Sequence, residues 1–122
     1  IGIGANDIVR FESPETAATQ LSEALATVPA HDRLIIYMAG NVGGTQLFPR
    51  FMNPYYSKQT RAYHLAFKPV VEAAGGTYIN LYDTPENDPF IRDPARYFAA
   101  DGFHPSSAGY RLWFEKMVAV LQ

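Results

Sequence analysis

Residues Leu34-Ile35-Ile36-Tyr37-Met38-Ala39 form an unbroken apolar run of strand length. A strand that buries one face alternates apolar and polar side chains, so a run without a polar member predicts a strand covered on both faces, as in a parallel sheet between helices. The flanks agree. Ser13-Pro14 starts a helix with a capping residue and a proline at the first position, and Ala17, Leu21, Ala24, Leu25 and Val28 give it an apolar stripe before Pro29 ends it. A second helix is predicted from about Ser57 to Ala74, with Ala62, Leu65, Ala66, Val70 and Ala73 on one face, a bend at Pro69 and Gly75-Gly76 as its stop. Thr77-Tyr78-Ile79-Asn80-Leu81 reads as the next strand. A last helix, from Pro105 to Leu121, carries Tyr110, Trp113, Phe114, Met117, Val118 and Leu121 at helical spacing, a stripe read as core. With Ile1-Gly2-Ile3-Gly4 as the tail of a buried strand, strand and helix alternate throughout, which implies right-handed parallel crossovers.

Composition narrows the function classes. At 122 residues, 48% hydrophobic and 14% aromatic, the chain can bury a sizeable core. A net charge of −2 gives no reason to expect nucleic acid or an anionic membrane as partner, and no apolar run reaches membrane-spanning length. The absence of cysteine excludes disulfides, a thiol nucleophile and thiolate metal sites, and fits either redox compartment, so localisation stays open. No cofactor or metal is implied. His31, His64 and His104 share no ligand spacing, and His64 is expected near the surface of the second helix. The acidic stretch from Asp83 to Ala100 lacks the glycine and the spacing of a calcium loop, and is expected instead to position the residues that follow it. Gly2-Ile3-Gly4 has Asp7 where a dinucleotide fingerprint needs its third glycine, and Gly40–Thr45 lacks the lysine of a phosphate loop.

The chemistry concentrates at the two ends. Asp101-Gly102-Phe103-His104-Pro105-Ser106 puts a carboxylate and an imidazole three residues apart. A neutral histidine becomes a useful general base when one ring nitrogen donates to a fixed carboxylate, which selects the tautomer and stabilises the imidazolium formed in the reaction. The alternative is that Asp101 caps a turn and His104 lies at a helix start. At the other end Asn6 follows a strand, at the sheet edge where open parallel sheets collect their ligands, and its amide could donate to a developing oxyanion. The glycine before it allows close approach. The alternative for Asn6-Asp7 is a turn pair.

Together, Gly4-Ala5-Asn6-Asp7 and Asp101-Gly102-Phe103-His104-Pro105 resemble the third and fifth sequence blocks of the SGNH, or GDSL-type, hydrolases. The resemblance implies a flavodoxin-like, three-layer α/β/α sandwich with a parallel sheet, of which this chain supplies three strand-helix units. It implies esterase or lipase chemistry on a small-molecule ester through a Ser-His-Asp triad. On it, His104 is the base, Asp101 its orienting partner, Asn6 an oxyanion-hole donor and Asp7 a structural residue.

The family's Gly-Asp-Ser block and its second, glycine-bearing block are absent. The serines are Ser13, Ser22, Ser57, Ser106 and Ser107, and none sits in a nucleophile-elbow setting. Ser106 and Ser107 are expected in the first turn of the last helix as N-terminal hydrogen bonders. The expectation is therefore that residues 1–122 are the C-terminal part of one SGNH-hydrolase-like domain, lacking two strand-helix units of about 30 residues each. Such a chain is expected to be inactive alone, and to need the serine-bearing N-terminal part of the same protein, or self-association, along the edge of its first strand. The loop Gly40-Asn41-Val42-Gly43-Gly44-Thr45, continuing through Phe48, Phe51, Met52, Tyr55 and Tyr56, leaves the carboxyl end of a strand. It either shapes an acyl or aryl pocket or packs its own aromatics. The rival to an ester hydrolase is a non-catalytic flavodoxin-like binding or interaction domain.

Overall fold

A computed structural model describes residues 1–29 and 33–122, so His31 lies outside the described residues. Three parallel strands, β1 (Gly2–Ile3), β2 (Ile35–Met38) and β3 (Thr77–Asn80), form one sheet in the order β1-β2-β3. Gly2 and Ile3 pair with Tyr37 and Met38, and Ile35–Met38 pair with Thr77–Asn80. Between and after them run α1 (Ala5–Val9), α2 (Pro14–Ala26), α3 (Asn53–Ala73), α4 (Pro89–Arg92), α5 (Pro94–Tyr97) and α6 (Ser107–Leu121). This is a mixed α/β architecture of the flavodoxin-like kind.

Local chemistry sets the helix starts. Ser13 caps α2 by accepting from the Thr16 amide, with Pro14 in the first turn. Ser106 caps α6 by accepting from Gly109 N, which places the start of that helix two residues later than Pro105. Gly4, at φ 95°, turns the chain out of β1 directly into α1, a left-handed conformation that costs other residues steric strain.

The main buried clusters lie on one side of the sheet. Ile36 and Met38 point between α2 and α3, where they meet Leu34, Val71, Phe67, Tyr63 and Tyr56, all buried. The alternate residues Ile35 and Tyr37 are only half-buried, so β2 is not covered equally on both faces. Crossovers of one hand carry α2 and α3 to the same face, which leaves the other face to α6. Tyr37 shares a cavity with Trp113 of α6 on that side. β1 likewise differs from a buried strand: as an edge strand it leaves Ile1 and Gly2 exposed.

Two predicted helix faces are corrected. The buried face of α3 is Tyr56, Ser57, Thr60, Tyr63, His64, Phe67 and Val71, while Leu65 is 70% exposed and Ala73 is also exposed. The tyrosines bury their rings, and Thr60 and His64 are buried because backbone groups satisfy their polar atoms. His64 is thus a core residue, not a surface one. On α6, Trp113, Met117, Val118 and Leu121 are half-buried but Tyr110 and Phe114 are 51% and 64% exposed, and α5 packs on the helix near its start. The α3 helix runs unbroken through Pro69. Among the described residues no helix is long and apolar enough to cross a membrane.

Candidate active site

The strap between β3 and α6 folds back on itself just before α6. Phe98 and Pro105 form an antiparallel bridge, Ala99 N donates to His104 O at 2.8 Å, and Ser106 N donates to Tyr97 O at 2.8 Å. Ser106 Oγ also donates to Arg96 O at 2.6 Å, so one serine ties the strap and caps α6. Gly109 lets α6 close on the strap, since a Cβ there would collide with the Tyr97 carbonyl and the Phe90 ring. Residues 83–100, read as a loop, contain the short helices α4 and α5, and they hold the His104 segment from one side as expected.

Within that segment Asp101 is fixed by three bonds. Its Oδ1 accepts from the amides of Phe103 and His104, each at 2.9 Å, and its Oδ2 accepts from His104 Nδ1 at 2.6 Å. The imidazole hydrogen bond and the two amides hold the Asp101 carboxyl down to about 2, so it is a carboxylate at any pH near neutrality. With Nδ1 donating to that carboxylate, the neutral ring carries its lone pair on Nε2, the form of a general base. Both side chains are open to solvent, 63% for His104 and 50% for Asp101.

His104 and Asn6 line the same cavity, of about 230 Å³, at the carboxyl edge of the sheet. Asn6 is the second residue of α1 and is exposed, and its side chain has no hydrogen-bond partner among the described residues. Phe90, Phe98, Phe103, Tyr110 and Trp113 give the cavity an aromatic wall. Asp88, 3% exposed, reaches it as well; its Oδ1 caps α4 by accepting from Phe90 N at 2.9 Å, and burial pushes its carboxyl up to about 6.

The loop after β2 divides. Gly40, Asn41, Val42 and Thr45 line the cavity, with Val42–Gly44 in a 3₁₀ turn whose cap is Asn41, accepting from Gly43 N at 2.9 Å. Farther on, Phe48 stacks on Tyr56 at 3.9 Å between ring centroids and packs with it against the core, while Phe51 is 82% exposed. The loop thus divides between a cavity-lining half and an aromatic half. None of the serines lines the cavity. The turn residues Asn41 and Thr45, and Asp88 on the strap, are site neighbours that no motif announced. Only their position after strands on the carboxyl edge pointed to them.

Residues 1–112 match the sequence model of the GDSL-like Lipase/Acylhydrolase family. The chain belongs to that family. No curated protein and no solved structure shows significant similarity to it. As a GDSL-like hydrolase it carries the Gly4–Asp7 and Asp101–Pro105 blocks far apart in sequence, folded so that Asn6 and His104 face one cavity at the carboxyl edge of the sheet.

Proposed function

We propose that residues 1–122 supply the base, the orienting acid and one oxyanion donor of a serine ester hydrolase. The observation that carries this reading is the 2.6 Å bond from His104 Nδ1–H to Asp101 Oδ2, with the other carboxylate oxygen anchored by two amides. In this mechanism His104 Nε2 takes the proton of a serine hydroxyl as that oxygen attacks the ester carbonyl. Asp101 stabilises the imidazolium, and the Asn6 amide donates to the carbonyl oxygen as it becomes an oxyanion. The imidazolium then returns its proton to the leaving alcohol. Water repeats the sequence on the acyl-enzyme.

The serine comes from polypeptide outside residues 1–122, because those present have other work. Ser13 and Ser106 are helix caps, Ser57 is buried on α3, and Ser22 and Ser107 lie in helices away from the cavity lining. The same polypeptide, the N-terminal part of one SGNH-type domain, would pair with the open side of β1; a second copy of this chain is the other candidate for that edge. The substrate is a small-molecule ester whose acyl or aryl part meets the aromatic wall.

A fluorophosphonate probe tests this. It is expected to label the complete protein stoichiometrically, to do so far more slowly in His104→Ala, and to leave residues 1–122 unlabelled when purified alone. Stoichiometric labelling of the isolated chain would overturn the external nucleophile, and a complete protein that neither labels nor hydrolyses p-nitrophenyl esters would favour the non-catalytic binding domain.

A further inference from the structure

The cavity wall from Ala39 to Val42 is held from behind by side chains that no family block contains. On the buried face of α3, Thr60 and His64 stand one helical turn apart, a spacing of about 5–6 Å between their Cβ atoms that suits two ends of a short turn. Thr60 Oγ accepts from Val42 N at 3.1 Å and donates to Tyr56 O at 2.8 Å. His64 Nε2–H donates to Ala39 O at 3.1 Å. Its other ring nitrogen, Nδ1, accepts from the Tyr78 hydroxyl of β3 at 2.6 Å. The chain of bonds has one direction: because Ala39 O can only accept, the imidazole proton sits on Nε2, and Tyr78 must donate. His64 is 4% exposed and Thr60 fully buried, so neither bond has water to replace it.

We propose that His64 is a positioning residue for the site, which through Ala39 O, and with Thr60 at Val42 N, sets where the Ala39–Val42 wall of the cavity stands. That this wall meets substrate rests on the reading of the cavity as the ester site; that α3 holds it does not. Farther along the turn Gly43 packs directly on Ser57 and the Asn53 carbonyl of the same helix, so α3 backs the wall along its length. A bulkier or differently bonded residue at position 64 would therefore move the wall and leave Asp101 and His104 as they are.

Protonation gives an independent handle. Burial lowers the His64 pKa to about 4, against the weaker pull of the Ala39 carbonyl. The titratable groups facing the ring are Tyr78 from β3 and Tyr82 beyond it, the latter within the influence of Arg61 of α3 and of Glu86 and Asp88 of the strap. A proton on Nδ1 would reverse that bond, the Tyr78 hydroxyl turning to accept, and would put a positive charge on the ring that holds Ala39 O.

The experiment is nitrogen-15 NMR on the intact protein, with His64→Phe, His64→Gln and, as a control on the same helix, Val71→Ala. At neutral pH the His64 ring should show Nε2 protonated and Nδ1 bare, and the amides of Gly40, Asn41 and Val42 should move with His64 as it titrates near about 4. His64→Phe should displace those amides, His64→Gln should restore them because its amide can donate to Ala39 O and accept from Tyr78, and Val71→Ala should leave them in place. In ester hydrolysis His64→Phe should raise KM about tenfold or more with a smaller change in kcat, recovered by His64→Gln. Amides at 40–42 that ignore both the substitution and the titration would overturn the proposal, as would the opposite tautomer or an unchanged KM in an active enzyme. If His64→Phe does not fold, the wild-type tautomer and titration decide alone. An intact protein without ester activity would remove the function reading and leave the NMR result to decide this one.

Discussion

The Asp101–Ser106 segment and the Gly40–Thr45 turn face one cavity and are built on different terms. In the first, Asp101 holds His104 through bonds to residues two and three positions away, and both side chains stand in solvent. In the second, the turn is largely buried and its bonds run to Thr60 and His64, separated from their partners by 18 and 25 residues. A short-range constellation can carry reactive groups without any share in the core, so it can be altered without collapse. A turn bonded to the core shapes the pocket, and disturbing it disturbs packing too.

The largest expected effect breaks the chemistry and spares the fold. In the complete protein His104→Ala should lower kcat about 10⁴-fold or more, with Asp101→Asn costing as much or less, and Asn6→Ala should cost about 10²–10³-fold. The melting temperatures should barely move, because all of these side chains are exposed. Steady-state kinetics beside thermal melts would show this; an unchanged rate in Asn6→Ala would remove the oxyanion role and leave a turn residue.

The buried side should answer to pH instead. Folded His64 takes its proton near about 4 and unfolded histidine near 6.5, so between these values the unfolded chain binds more protons and stability falls on acidification. The total is about 3 kcal/mol, lost progressively from pH 6.5 down through about 4. Asp88 works in the opposite sense: with its folded pKa raised from 3.8 to about 6, its contribution is complete below 3.8 and is lost as pH rises through about 6. Because the two oppose each other and largely cancel between pH 4.5 and 7 in wild type, the urea midpoint should be higher at pH 4.5 than at pH 7 in His64→Gln, and higher at pH 7 in Asp88→Asn. Identical pH dependence in all three would mean that neither group titrates as buried.

A smaller effect sharpens the contrast. Gly43→Ala places a Cβ against Ser57 and the Asn53 carbonyl, and should cost about 1–3 kcal/mol in chemical denaturation while leaving the Asp101–His104 bond intact. A stability equal to wild type would show that the turn is softer than its bonds suggest.

How far the sequence could be read follows the same division. The strand-helix alternation, the caps at Ser13 and Ser106, the Asp101–His104 pair and the family were all legible, because caps, apolar runs and i,i+3 contacts are fixed by neighbours along the chain. The stripes on α3 and α6 were misread, since hydrophobicity alone ranks Leu65 above Tyr63 and His64. On α3 some of the buried positions went, beside Phe67 and Val71, to side chains with a polar tip that reaches a backbone partner: Tyr63 donates to Glu12 O at 2.6 Å, and His64 to Ala39 O. Phe114 remained exposed because nothing among the described residues packs over that side of α6.

The sequence by itself determined which groups could do chemistry and the local turn that orders them, since Asp101 and His104 need only each other and two amides to take up their geometry. The tertiary structure alone decided that Asn6, 98 positions earlier by residue number, shares a cavity with His104. It alone decided that the Ala39–Val42 wall is held by Thr60 and His64. The physical reason is that burial and long-range hydrogen bonds depend on which faces the parallel crossovers bring together, and a polar residue becomes a core residue only where the fold supplies its partner.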